Sequence, residues 1–198
     1  MDAHSHGIAG YDYGSDQLPT SPVSLEELRR IEETVEFTNE DLRYLKLAGE
    51  VLRDQAENMV DLWRRKMSSQ DHLARYFHAP DGKSDERYKA AVKPRFMQWV
   101  IDTCSRAYDQ KWLDYQEEIA RRHTPDKKNV VDGVQTPSVV HLRYLIAFTS
   151  VLITTARDFL TKKGHSREQV EKMQLAWTKA MFITLSLWSR PYTKDGLW

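Results

Sequence analysis

Two apolar stripes at helical spacing dominate the C-terminal part of the chain, and they offer a sheet nothing to be built from. Leu142, Leu145, Phe148, Leu152 and Phe159 recur at steps of three, four and seven residues, which places them on one helical face. Gly164 ends that run. Ser166, with Gln169 three residues on, forms a capping box that opens the next. Val170, Met173, Trp177, Met181, Leu185 and Trp188 then continue the period. The spacing predicts helices over about 138–162 and 166–189. Ala180, Phe182 and Leu187 fall off the second line, so its apolar surface is wider than one core face needs. That excess predicts a helix–helix dimer interface on these two helices.

The upstream sequence is helical as well. Ser24 and Glu27 form a capping box for a short helix over about 25–36. Thr38 opens a long apolar stripe, Leu42, Leu45, Leu52, Met59, Val60, Trp63 and Met67, with Gly49 as its weak point and expected site of a bend. A helical turn is predicted at 72–77 and a Pro-Asp-Gly turn at 80–82. Ser84 is the expected cap of a helix over about 85–106, whose interior Pro94 removes one N–H and predicts a kink. Asp109 opens a further helix, and residues 124–137 form a polar loop. The fold class is all-α, with about eight helices, long and without a heptad period, which fits an angled globular pack better than a coiled coil.

Lys plus Arg and Asp plus Glu each total 29. Zero net charge argues against a main role on nucleic acid or on an anionic membrane. Cys104 is the only cysteine, which excludes an intramolecular disulfide and a Cys-rich metal site and fits a reducing, cytoplasmic compartment. No secretory signal is visible in MDAHSHGIAGYDYG, and no apolar run reaches the length of a membrane span. His4 and His6 are read as part of a solvated tail. Tyr11 and Tyr13, between Gly10 and Gly14, need something to pack on, so this lead is expected to lie across the domain.

Chemistry concentrates on the helix that ends at Pro125. Trp112, Tyr115, Gln116, Ile119 and His123 share one face, and Thr124-Pro125 disfavours further helix. An imidazole therefore ends an apolar face beside a loop. The pattern suits a metal-ligating nitrogen, and it equally suits a boundary histidine. There is no His-Glu-x-x-His, no phosphate loop, no Gly-x-Ser-x-Gly and no inward carboxylate set for a di-iron site. Trp63, Phe77, Phe96, Leu145 and Phe148 could face the imidazole. One axial nitrogen with aromatic walls opposite is what a haem site requires, while the same stripes also serve as plain core.

The chain resembles the protoglobins, single-domain haem proteins related to globin-coupled sensors. The resemblance runs from Gly10 to the C-terminus. It is carried by GYDYG (10–14), LAGEVLRDQ (47–55), YF (76–77), PDG (80–82), RF-x-x-WV-x-DT (95–103), YDQKWLDYQEEIARRH (108–123), KKN (127–129), RYLIAF (143–148), GH-x-x-x-x-VEKM (164–173), LW (187–188) and PY-x-K (191–194). It implies a three-over-three globin fold over 24–198 with an additional N-terminal helix. It also implies that residues 1–23 pack over the haem, and that subunits pair through the last two helices.

The resemblance further implies haem b (iron protoporphyrin IX), with His123 as the proximal iron ligand. It places Trp63, Phe96, Leu145 and Phe148 on the distal side and Phe77 at the cofactor, and makes Arg95 and Tyr115 candidates for the propionates. The implied function is reversible binding of O2, CO or NO as sensor, scavenger or carrier. Three departures stand out. Arg64 follows Trp63 where protoglobins usually have a tyrosine. Val92 stands where many globins have a distal histidine. Pro94 precedes Arg95-Phe96. Arg64 either turns out to solvent or lies over the haem edge. The second case would suit a haem enzyme of peroxidase-like or nitrogen-oxide-converting type. A helical scaffold without cofactor is the third reading.

Overall fold

A computed structural model describes residues 7–194 and 196–198; His4 and His6 lie outside them. Among the described residues there are eight α-helices and no strand: α1 (Leu25–Thr34), α2 (Asn39–Leu52), α3 (Ala56–Ser68), α4 (Asp71–Ala74), α5 (Glu86–Ser105), α6 (Gln110–Arg121), α7 (Leu142–Leu160) and α8 (Arg167–Ser189). None of them is long and apolar enough to cross a membrane. The ends follow local chemistry. Ser24, Thr38, Asp109 and Ser166 each accept a backbone N–H of the first turn. Gly164 stops the α7 segment in the left-handed region, at φ 75°.

Helix α8 is the hub, packing on α2, α6 and α7, while α2 and α3 pack on α5. The largest core cluster joins Leu45, Met59, Trp63, Trp99, Leu160, Met173 and Trp177. A second, smaller one joins α1 to α6 and α8 through Leu28, Trp112, Leu113 and Ile183. Trp63, Trp112 and Trp177 are fully buried.

Several boundaries differ from the sequence-based expectation. The α2 helix runs straight through Gly49 and breaks at residues 53–55 instead. Gly49 serves packing: a Cβ there would come within 2.7 Å of the Cys104 Cβ, so the glycine lets α2 and α5 cross closely. The cap of α5 is Asp85, which accepts the Tyr88 N–H, while the Ser84 hydroxyl donates to Glu86. Both residue types cap well, and the backbone bond from Asp85 N–H to the Phe77 carbonyl sets the register. The α5 helix continues through Pro94 unbroken. The α7 helix starts at Leu142 because the Val140 N–H donates to the His123 carbonyl, not into a helical turn. On the outer faces of α7 and α8, Ile146, Leu175 and Phe182 are exposed, whereas Ala180 and Leu187 are buried.

Candidate functional site

His123 follows the last turn of α6 and stands in the wall of a cavity between α5, α6, α7 and α8. Its Nδ1 lies 2.9 Å from the Ile119 carbonyl oxygen. A carbonyl only accepts, so Nδ1 carries the proton and Nε2 keeps its lone pair. Burial lowers the imidazole pKa to about 4, with the charges of Lys128 and Arg122 acting in the same direction. The ring is therefore neutral at physiological pH. This is the form that ligates iron.

The remaining wall is apolar over most of its area. Phe77, Val92, Phe96, Leu145 and Phe148 line it, together with Trp99, Leu152, Met181, Leu185 and Trp188. Arg95 and Tyr115 also reach it. Trp63 and Arg64 do not. Trp63 is fully buried behind Phe96, with ring centroids 5.3 Å apart, and its indole N–H donates to Thr155 at 2.8 Å. Arg64 donates to the Lys89 carbonyl at 3.1 Å and lies near Asp61. That carbonyl adjoins the one of Ala90, which Pro94 deprives of its helical donor. Helical period puts Trp63 inward, but the cavity begins one side chain further on.

One side of the cavity is cationic, and sequence reasoning caught only Arg95 there. Arg122, Lys127 and Lys128 join it. Arg95 makes a bidentate pair with Asp132, at 3.0 and 2.7 Å. Arg122 binds Glu118 and reaches Asp12 at 2.6 Å, while Lys127 pairs with Glu118. Lys128 is buried, and its ammonium donates to the Tyr76 carbonyl, the Tyr88 hydroxyl and the Thr136 hydroxyl. All three acceptors are neutral. Burial accordingly lowers its pKa to about 8. For Lys127 and Lys128 the sequence offers only the KK dipeptide as a signal, and surface lysine pairs look the same.

The N-terminal lead crosses this cationic side. Tyr11 donates to Asp102 at 2.5 Å, and its ring meets that of Tyr115 at 5.2 Å. Arg106 lies over the Tyr13 ring at 4.4 Å. Arg95 donates to the Ala9 carbonyl and Arg122 to the Gly10 carbonyl. Gly10 has φ 72°, and a Cβ there would collide with the Arg95 guanidinium and Val131. Gly10→Ala should therefore cost roughly 1–2 kcal/mol from its backbone conformation alone and loosen the lead. Amide exchange over residues 8–14 is expected to accelerate while that of α5 and α6 stays unchanged; an unaltered rate would show that the lead is not held there.

Among the described residues no cluster of His, Cys, Asp and Glu could hold a metal ion by itself. What the cavity does fit is a flat apolar group with carboxylates at one edge. A neutral imidazole stands in its wall, the faces are aromatic and aliphatic, and the cationic edge includes a buried ammonium without a counter-charge among its partners. A haem has that shape and charge pattern.

Comparison with known proteins points the same way. No curated protein matches the chain. Among solved structures, the globin domain of the Geobacter sulfurreducens globin-coupled sensor superposes with a TM-score of 0.63 at 15% identity, covering 84% of this chain and 97% of that one. At that identity the likeness establishes the all-α globin fold. The Protoglobin family model matches residues 24–198, and the chain therefore belongs to the protoglobin family of haem globins.

Proposed function

We propose that the protein binds haem b through His123 and reversibly takes up diatomic gases, O2, CO or NO, at the iron, as a sensor, scavenger or carrier. The observation that carries this reading is the neutral His123, its Nδ1–H anchored on Ile119, set in an apolar cavity with a cationic edge. Bound haem supplies an iron with an open coordination position. The chain's residues hold it: His123 as metal ligand, the apolar walls excluding water, and Arg95, Arg122 and Lys128 providing positive charge for the propionates. Tyr115 helps to seat the N-terminal lead over the haem, with residues 24–198 forming the globin domain.

Val92, Phe96, Leu145 and Phe148 carry no hydrogen-bond donor. A gas held among these four finds no donor, which favours CO and NO over oxygen; the wall's candidate donor lies elsewhere, in the buried and unpartnered indole N–H of Trp99. The enzymatic alternative rests on Arg64, whose hydrogen bond to the Lys89 carbonyl supports a role outside the pocket. The test is the absorption spectrum of the ferrous protein with and without O2 and CO. A Soret band that shifts with CO is expected. No Soret band after reconstitution with haem would overturn the proposal.

We place the protein in the cytoplasm, in keeping with its single buried cysteine, as a homodimer through α7 and α8. Ile146, Leu175 and Phe182 supply the exposed apolar surface for that pairing. Phe182→Asp is expected to convert a dimer to a monomer in sedimentation velocity. A wild-type monomer at high micromolar concentration would sink the dimer.

A further inference from the structure

Three side chains at the C-terminal end of α8 converge on the helix that carries His123. Trp188 sets its ring 5.2 Å from the imidazole, at an interplanar angle of 31°. Its indole N–H donates to the Gln116 side-chain oxygen at 2.9 Å. Arg190 makes a bidentate pair with Glu117, at 2.9 and 2.6 Å. The Tyr192 hydroxyl lies 2.6 Å from the Val140 carbonyl and 3.0 Å from the His123 carbonyl. That second carbonyl also accepts the Val140 N–H.

Building on the proximal role of His123, we infer that this C-terminal elbow positions the iron ligand, with Trp188 and Tyr192 as the positioning residues. The imidazole has two soft freedoms: rotation about its Cβ–Cγ bond, and displacement with the end of α6. The Ile119 carbonyl restrains the rotation from one side, through Nδ1. Trp188 restrains it through the ring face, and Gln116 fixes Trp188. Tyr192 and Val140 fix the displacement, because both hold the main chain at residue 123. Glu117 adds a second main hold on α6, since its carboxylate is 5% exposed and needs its partner.

Plain packing accounts poorly for this arrangement. An apolar contact would fill the space, yet Trp188, Arg190 and Tyr192 are each also held by a directional polar bond. Two of them end on the buried Gln116 and Glu117. Groups that orient a metal-bound histidine from beyond the ligand itself tune both its position and its donor strength. Trp177 provides the contrast. It is a fully buried indole on the same helix, where Trp188 is partly buried, but its N–H donates to the Leu152 carbonyl and it does not line the cavity.

The experiment is resonance Raman spectroscopy of the full-length, haem-loaded ferrous protein, read at the iron–histidine stretching band. Thermal unfolding is measured in parallel. Trp188→Phe keeps an aromatic ring and loses the bond to Gln116; Tyr192→Phe loses only the hydroxyl. Both are expected to shift or broaden the band. Gln116→Leu should reproduce the Trp188→Phe shift, and the two together should shift it no further. Trp177→Phe should lower stability and leave the band in place. Wild-type-like bands in Trp188→Phe, Gln116→Leu and Tyr192→Phe would overturn the inference while the proximal assignment stands. An equal shift in Trp177→Phe would also overturn it, since the effect would then be general loosening. A wild-type band that survives His123→Ala would instead remove the proximal assignment on which the inference rests.

Discussion

If His123 holds the iron as proposed, His123→Ala is expected to abolish nitrogen ligation of the metal. Among the described residues His123 is the one imidazole in the cavity wall, and Nε2 keeps its lone pair because Nδ1 holds the proton. Among the described residues no second histidine takes its place: His141, the closest in sequence, has its Nδ1 2.7 Å from the Tyr76 hydroxyl and does not line the cavity. The apolar walls remain, so haem is still expected to enter, with an altered ferrous spectrum. Free imidazole added to the variant should restore the wild-type form by occupying the vacated space. A ferrous spectrum identical to wild type would reassign the ligand.

Trp63→Ala produces the largest loss of stability, about 3–5 kcal/mol by analogy with other buried aromatic truncations. The side chain is 0% exposed and packs against Phe96 and Trp99, at 5.3 and 6.5 Å between centroids. Truncation opens a void between α3 and α5. It also removes the N–H that the Thr155 hydroxyl accepts, although that hydroxyl keeps its own bond to the Val151 carbonyl. Phe96 then loses its backing, so the cavity wall should soften with the core. Denaturant unfolding followed by tryptophan fluorescence checks the value. A loss below about 1 kcal/mol would mean that the site collapses fully around the deletion. Trp63→Phe, which keeps most of the volume, should recover more than half of the difference.

The fold was legible where a local signal had no competitor. Capping residues at Ser24, Thr38, Asp109 and Ser166, the stop at Gly164 and the 3.6-residue period fix α1, α2, α6 and α8 to within a few residues. The signals that misled are those with two physical uses. Gly49 can weaken a helix or permit a close crossing, and only the facing Cys104 decides.

At the site, periodicity places Phe96, Leu145, Phe148 and His123 on inward faces, and the cavity is inside. It cannot separate a side chain that lines a cavity from one that backs it, as Trp63 does behind Phe96. The cationic edge was least legible. Arg122 meets Gly10 and Asp12 across more than 100 residues, and Lys128 gathers its three partners from three separate segments. No local pattern encodes such pairings.

The close crossing of α2 and α5 has a consequence for sulfur chemistry. Cys104 is 2% exposed under Gly49, and burial pushes its thiol pKa up to about 12. Only the thiolate is nucleophilic, so the protein's single sulfhydryl is inert while the two helices stay together. Electrophiles and nitrosating agents have no target on it in the native state. The same burial makes Cys104 a built-in reporter. A thiol reagent added in excess modifies it only when α2 and α5 part, and the labelling rate measures how often they do.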